Sequence, residues 1–211
     1  MTTAKRIFAV LLLLSTIQAH DRAQPARSPR ILPVEPSEWT DEHRAILGPR
    51  ARSGQTVNSF KICLRNPELC RNWLPFSNYI EGNSSSLAPR EREMLILRTA
   101  WLCRDNYVWS PHAASGLRAG LTANDLDRIT KGPDASGWNA FDAALLRAAD
   151  ELHRDQFVSD ATWKTLSERY NEKQLLDTLF TVGDYTMVAM YLNSVGAQLE
   201  AGWTGLPKGA F

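Results

Sequence analysis

A chain of 211 residues with 44% apolar content can bury one sizeable core and has little length left for a second. Its 24 Lys and Arg against 23 Asp and Glu leave a formal charge of +1, which gives no electrostatic footprint for nucleic acid or an anionic membrane surface. Seven tryptophans and five tyrosines are core and interface material before they are base-stacking platforms, so nucleic acid is set aside as a partner.

The N-terminus reads as a secretory signal. Lys5 and Arg6 precede an apolar run from Ile7 to Leu14, and Ser15 to Ala19 supplies the small residues of a cleavage site. The apolar run falls short of the roughly 20 residues of a comfortable span, so the expectation is cleavage near Ala19, a periplasmic or secreted product and no stable membrane span after processing. Residues 20–37, rich in Pro, Arg, Ser and Ala, read as an extended or disordered leader, and residues 38–211 as one folded domain. Cys63, Cys70 and Cys103 are an odd set. A bridge between Cys63 and Cys70 across the Asn66-Pro67 helix start is conceivable, and so are three buried thiols packing as small apolar side chains. Asn83-Ser84-Ser85 is a glycosylation sequon, relevant only in a eukaryotic secretory pathway.

The remaining chain predicts an all-α bundle of about six to eight helices. Asn66-Pro67 starts a helix towards Ile80, Gly82 to Ser86 breaks it, and Pro89 opens the next. In that second helix Glu93, Leu97, Ala100 and Trp101 share a face, so Glu93 points along the apolar side while Glu91 and Arg92 are expected to stay in water. Two starts fit the helix carrying His112: Ser110 as cap with Pro111 following, or a start near Asp105 that leaves Pro111 in or near the first turns. Thr122 with Asp125 reads as a capping box for a short helix to Thr130. Asn139 to His153 repeats apolar residues at helical spacing, Asp160 starts a helix to Tyr170, and Asn171 with Gln174 caps a last helix over Glu172 to Ala201. This last helix is apolar on most faces, which predicts either a subunit interface or a central core helix.

Three patterns carry a resemblance: the Arg90-Glu91-Arg92-Glu93 block, Tyr107-Val108-Trp109-Ser110-Pro111-His112, and the Gly120-Leu121-Thr122 turn. Over residues 60–203 the chain is similar to the carboxymuconolactone decarboxylase and alkylhydroperoxidase D family, with Trp138, Asp142, Gly183 to Met187 and Asn193 following the order of that family's C-terminal helices. The resemblance implies an alkylhydroperoxidase D-like helical fold, a homotrimer or a multiple of it, and a pocket around His112. The chain also departs from the family. Where the peroxidase branch carries its two thiols this chain has Asp105 and Val108, and where the decarboxylase branch commonly carries Glu it again has Val108. A thiol peroxidase needs one sulfur to attack peroxide and another to resolve the sulfenic acid, and neither position supplies one.

His112 is thus the candidate proton donor and acceptor, since an imidazole titrates near neutrality and needs an orienting partner. Glu93 is the candidate to orient it and Tyr107 to hydrogen-bond a developing enolate. Trp109, Tyr185 and Asn193 are candidate substrate contacts. The four histidines are dispersed and no Cys-x-x-Cys or His-Glu-x-x-His occurs, so neither metal nor other cofactor is expected. The resulting expectation is an exported decarboxylase-like lyase or isomerase acting on a small lactone or carboxylic acid. An alkylhydroperoxidase-like antioxidant and a non-catalytic small-ligand-binding oligomer are the alternatives.

Overall fold

The structure, a computed structural model, describes residues 28–53 and 56–207. The expected signal peptide and its cleavage point at Ala19 lie outside these residues. Every regular element among them is helical: a 3-10 turn at Pro36–Glu38, then α1 (Asp41–Leu47), α2 (Pro49–Ser53), α3 (Asn58–Cys63), α4 (Pro67–Glu81), α5 (Pro89–Leu102), α6 (Asn106–Arg118), α7 (Ala123–Lys131), α8 (Ala140–Asp155), α9 (Asp160–Ser167) and α10 (Glu172–Val195). Ten helices replace the expected six to eight because α1, α2 and α3 have only five to seven residues each, too short for a periodic signature. Among the described residues no helix is long and apolar enough to cross a membrane.

The caps explain the phasing. Asn66 accepts from Leu69 N–H at 3.1 Å with Pro67 at the first helical position, and Thr122–Asp125 and Asn171–Gln174 form reciprocal capping boxes. Two ends fall earlier than the sequence pattern suggests. α9 stops at Ser167 rather than Tyr170, because Tyr170 turns inward and donates to Glu91 at 2.6 Å. α10 stops at Val195 rather than Ala201, because Gly196 adopts a left-handed conformation (φ 68°) and caps back onto Leu192. A Cβ on Gly196 would lie 2.4 Å from the Ser28 carbonyl oxygen, since the N-terminal segment crosses there. That segment is extended but docked: Arg30 N–H donates to the Val195 carbonyl at 2.8 Å, Val34 N–H to that of Lys61 at 3.1 Å, and Val34 is buried.

α5 is the axis of the bundle, packed by α6, α7, α8 and α10. Nine of its residues are buried, including Glu91, Glu93, Arg98 and Thr99. The expectation that Glu91 and Arg92 stay in water is therefore corrected. With helices packed around most of α5 little solvent face remains: Glu91 is buried and Arg92 half-buried, its Nε without a hydrogen-bond partner. Glu91 is 4% exposed and bonded by Arg169 and the Tyr170 hydroxyl. Arg92 donates to the Gly82 carbonyl at 3.1 Å, pinning the end of α4. Arg90 forks onto both oxygens of Asp142 at 3.0 and 2.9 Å, tying α5 to α8. α10 buries Leu175, Val182, Tyr185, Val188 and Leu192, and leaves Leu176, Phe180, Met187 and Met190 exposed in the single chain.

Candidate active site

The helix that carries His112 begins at Asp105, not Ser110. The Asp105 carboxylate accepts from the N–H groups of Tyr107 at 2.8 Å and Val108 at 3.0 Å, so Pro111 lies inside α6, one residue before the imidazole. At the position where the peroxidase branch carries a thiol, this chain has a helix cap. One turn after His112 stands Gly116. A Cβ there would lie 2.8 Å from Leu121 Cδ1, 3.3 Å from Leu97 Cδ1 and 3.7 Å from Glu93 Cβ. The absent side chain lets α6 rest against α5 at the level of Glu93.

This close approach brings His112 Nδ1 to 2.9 Å from Glu93 Oε2, with the two side chains only 14% and 9% exposed. The other ring nitrogen, Nε2, lies 3.1 Å from the Tyr185 hydroxyl, whose ring meets the imidazole edge-on at 5.0 Å. The same hydroxyl donates to Glu81 Oε1 at 3.0 Å. Four side chains from α5, α6, α10 and α4 thus form a continuous line, Glu93–His112–Tyr185–Glu81. Glu81, His112 and Tyr185 border a cavity of about 220 Å³, with Glu93 behind the imidazole, Ser77 and Ser115 as further polar walls and Trp73, Val108, Val188 and Leu192 as apolar ones.

Burial by itself would drive the His112 proton off. The bond and charge of Glu93, with the charges of Glu81 and Asp105 behind it, outweigh burial and hold the imidazole above its ordinary value. Burial dominates at the other groups. It pushes Tyr185 well above the phenol range, so this hydroxyl keeps its proton, and it raises Asp105 to about 6 against the two backbone donors that favour its charge. An imidazole whose charged form is favoured by a bonded carboxylate, beside a phenol that keeps its proton, can act as a proton store with a hydrogen-bond donor at the cavity wall.

The other residues singled out in the sequence are distributed differently. Tyr107 borders the cavity, but its hydroxyl donates to Glu200 at 2.7 Å and accepts from Ser59 N–H at 3.0 Å. Five positions before His112 it projects about 140° around the helix, and Tyr185 supplies the hydroxyl that reaches the imidazole. Trp109 is in the core against Trp101, ring centres 6.1 Å apart, outside the cavity lining. Asn193 also lies outside it and donates to the Cys103 carbonyl at 3.0 Å, bracing α10 on the α5–α6 turn. Cys63 and Cys70 are free buried thiols in the cluster under α3 and α4, and Cys103 Sγ sits 3.7 Å from His153 Nδ1. Among the described residues no three His, Cys, Asp or Glu side chains are grouped to hold a metal ion.

Glu81 escaped the sequence reading, which stopped its helix at Ile80. A signal was available: a carboxylate in the last turn of a helix opposes the macrodipole, and such a residue invites a tertiary reason.

Residues 67–151 match the model of the carboxymuconolactone decarboxylase family. No curated protein matches the chain by sequence. Solved structures do resemble it. The alkylhydroperoxidase AhpD core of an uncharacterized peroxidase-related protein from Ralstonia eutropha is 18% identical with a TM-score of 0.71, covering 82% of this chain and 93% of that one. An uncharacterized peroxidase-related protein from Silicibacter sp. is 17% identical, TM-score 0.68, over 90% and 97%. A debrominase in complex with 2,3,4-tribromopyrrole is 15% identical, TM-score 0.66, over 81% and 91%. The family match lies on α4 to α8, the helices that hold Glu81, Glu93 and His112, and at these identities the structural neighbours speak for the fold. The chain thus carries a segment, residues 67–151, that matches the carboxymuconolactone decarboxylase family model, set in an alkylhydroperoxidase D-like helical fold.

Proposed function

We propose that this protein is an exported, oligomeric enzyme that performs cofactor-free proton transfer on a small lactone or carboxylic acid, by decarboxylation or a related lyase or isomerase step. The observation that carries the reading is an imidazole held at both nitrogens, by Glu93 at Nδ1 and Tyr185 at Nε2, on the wall of a cavity. Loss of carbon dioxide leaves an electron pair that must be delocalised into a neighbouring carbonyl as an enolate and then protonated. The Tyr185 hydroxyl is the donor for that developing oxyanion, and His112 supplies and recovers the proton. The cavity volume of about 220 Å³ is below the ~300–1,000 Å³ of drug-sized sites, which suits a substrate of few heavy atoms. That a protein of the same fold takes a tribromopyrrole agrees with a small, flat ligand. No cysteine borders the cavity, which disfavours thiol-based peroxide reduction.

Assembly enters through α4 and α10. Leu69, Phe76, Phe180, Met187 and Met190 leave an apolar strip on one side of the chain, and a second copy is the occupant we propose for it. The deciding experiment is a screen of mature protein against small lactone acids and hydroperoxides, followed by His112→Ala on whatever substrate is turned over. Removing a general acid or base costs about 100-fold to 10,000-fold in rate. Retention of most activity in that variant refutes the assignment.

A further inference from the structure

We propose that Tyr185 and Glu81 form the path by which the His112 proton reaches solvent, a role that deepens the proton-transfer reading and rests on it. The Tyr185 hydroxyl has a single proton and two acceptors, Glu81 Oε1 at 3.0 Å and His112 Nε2 at 3.1 Å. Which one it serves depends on the imidazole. When His112 is charged, Nδ1–H is held by Glu93 and Nε2–H donates to the Tyr185 oxygen, so Tyr185 turns its own proton to Glu81. When His112 is neutral with Nδ1–H still on Glu93, the Nε2 lone pair accepts the Tyr185 proton instead.

Transfer follows from those two states. The proton on Nε2 passes to the Tyr185 oxygen as the Tyr185 proton passes to Glu81 Oε1, so imidazolium and carboxylate become imidazole and carboxylic acid with the phenol unchanged. Rotation of the hydroxyl resets the line. Glu81 is the member that completes the route, because it is exposed while Glu93 and Tyr185 are buried and the His112 side chain is 14% exposed. Without it the proton store is closed at the Glu93 end.

Two features hold Glu81 in place. The next residue, Gly82, has its carbonyl pinned by Arg92, and a Cβ on Gly82 would lie 2.5 Å from the Asn78 carbonyl oxygen, so the absent side chain lets the chain end close against the last turn of α4 beside Glu81. Arg92 comes from the same charged block as Glu93, so one block sets both ends of the line. The charges facing the imidazole are Glu93 from α5, Glu81 from α4 and Asp105 at the start of α6, with Asp184 of α10 acting on Tyr185. Among these only Glu81 is exposed.

The test is the exchange of the His112 Nε2 proton with water, followed by NMR on labelled full-length protein with no substrate present. Glu81→Gln and Tyr185→Phe should each slow that exchange by at least about tenfold, on the scale of losing a positioned acid–base group. A packing role predicts the opposite sign, because loosening a buried site lets water in and speeds exchange. Unchanged or faster exchange in either variant overturns the path. Glu81 is exposed, so its variant keeps the fold even where Tyr185→Phe disturbs the core. Because no substrate is involved, this outcome is independent of whether His112→Ala abolishes turnover, and the two ideas fail separately.

Discussion

Replacing Glu93 by Gln removes one charge and almost no volume from the buried pair, so its effect on His112 is close to a direct reading of what the carboxylate does. Burial is the largest single influence on His112 and lowers its proton affinity; the Glu93 bond and charge are what reverse it. A hydrogen bond to a charged partner is worth about 1.5–3 kcal/mol and a neutral one about 0.5–1.5, so the loss is about 1–1.5 kcal/mol. The variant imidazole should therefore bind its proton less tightly than the wild-type one, because the Glu93 charge is gone while burial remains. Stability follows. In wild type the folded pKa lies above the unfolded one, so the contribution of His112 is full below about pH 6.5 and is lost as pH rises through the folded value. In Glu93→Gln the folded pKa is lower, and that contribution shrinks. The gap between the two proteins should therefore be larger near pH 6 than near pH 9, by about 1 kcal/mol. Imidazole carbon-proton shifts against pH give the ionisation, and urea unfolding at the two pH values gives the gap. An unmoved His112 titration, or a gap independent of pH, would refute the view that Glu93 holds the proton on His112.

Asp105→Ala should cost about 1 kcal/mol through loss of the α6 cap, whereas Asp105→Asn keeps an acceptor for the two N–H groups and should cost less. Because burial raises Asp105 to about 6, its folded form binds protons more readily than the unfolded chain, and its contribution falls as pH rises from about 4 through 6. That slope should vanish in the Asn variant, as read by melting at several pH values. Met187→Asp should dissociate the assembly, while a monomeric wild type in light scattering at micromolar concentration would remove the basis for it. Cys103→Ser should leave turnover unchanged; a rapid thiol-dependent peroxide reduction that disappears in this variant would reinstate the peroxidase alternative.

Much of the bundle was legible in local signals. Asn66-Pro67, Thr122 with Asp125, and Asn171 with Gln174 fix helix starts because each satisfies orphan N–H groups within three residues, a interaction that needs no tertiary partner. His112 and Glu93 stood out partly for a related reason, since ionisable side chains on apolar helical faces are costly unless paired, and partly because the resemblance to the family aligned both; Tyr107 remained a second candidate partner. What the sequence left open were matters of direction and distance. Whether α6 began at Asp105 or Ser110, that Tyr185 rather than Tyr107 would meet the imidazole, and that Glu81 would close the line from a different helix all depend on how four helices cross. Those crossings are set by close packing around α5, where Gly116 permits an approach that an additional methyl would crowd against Leu97 and Leu121. Helix caps are contacts between neighbours in the chain, whereas the sequence separation of 73 between His112 and Tyr185 is bridged only when the core closes, and no periodicity in either segment encodes that meeting.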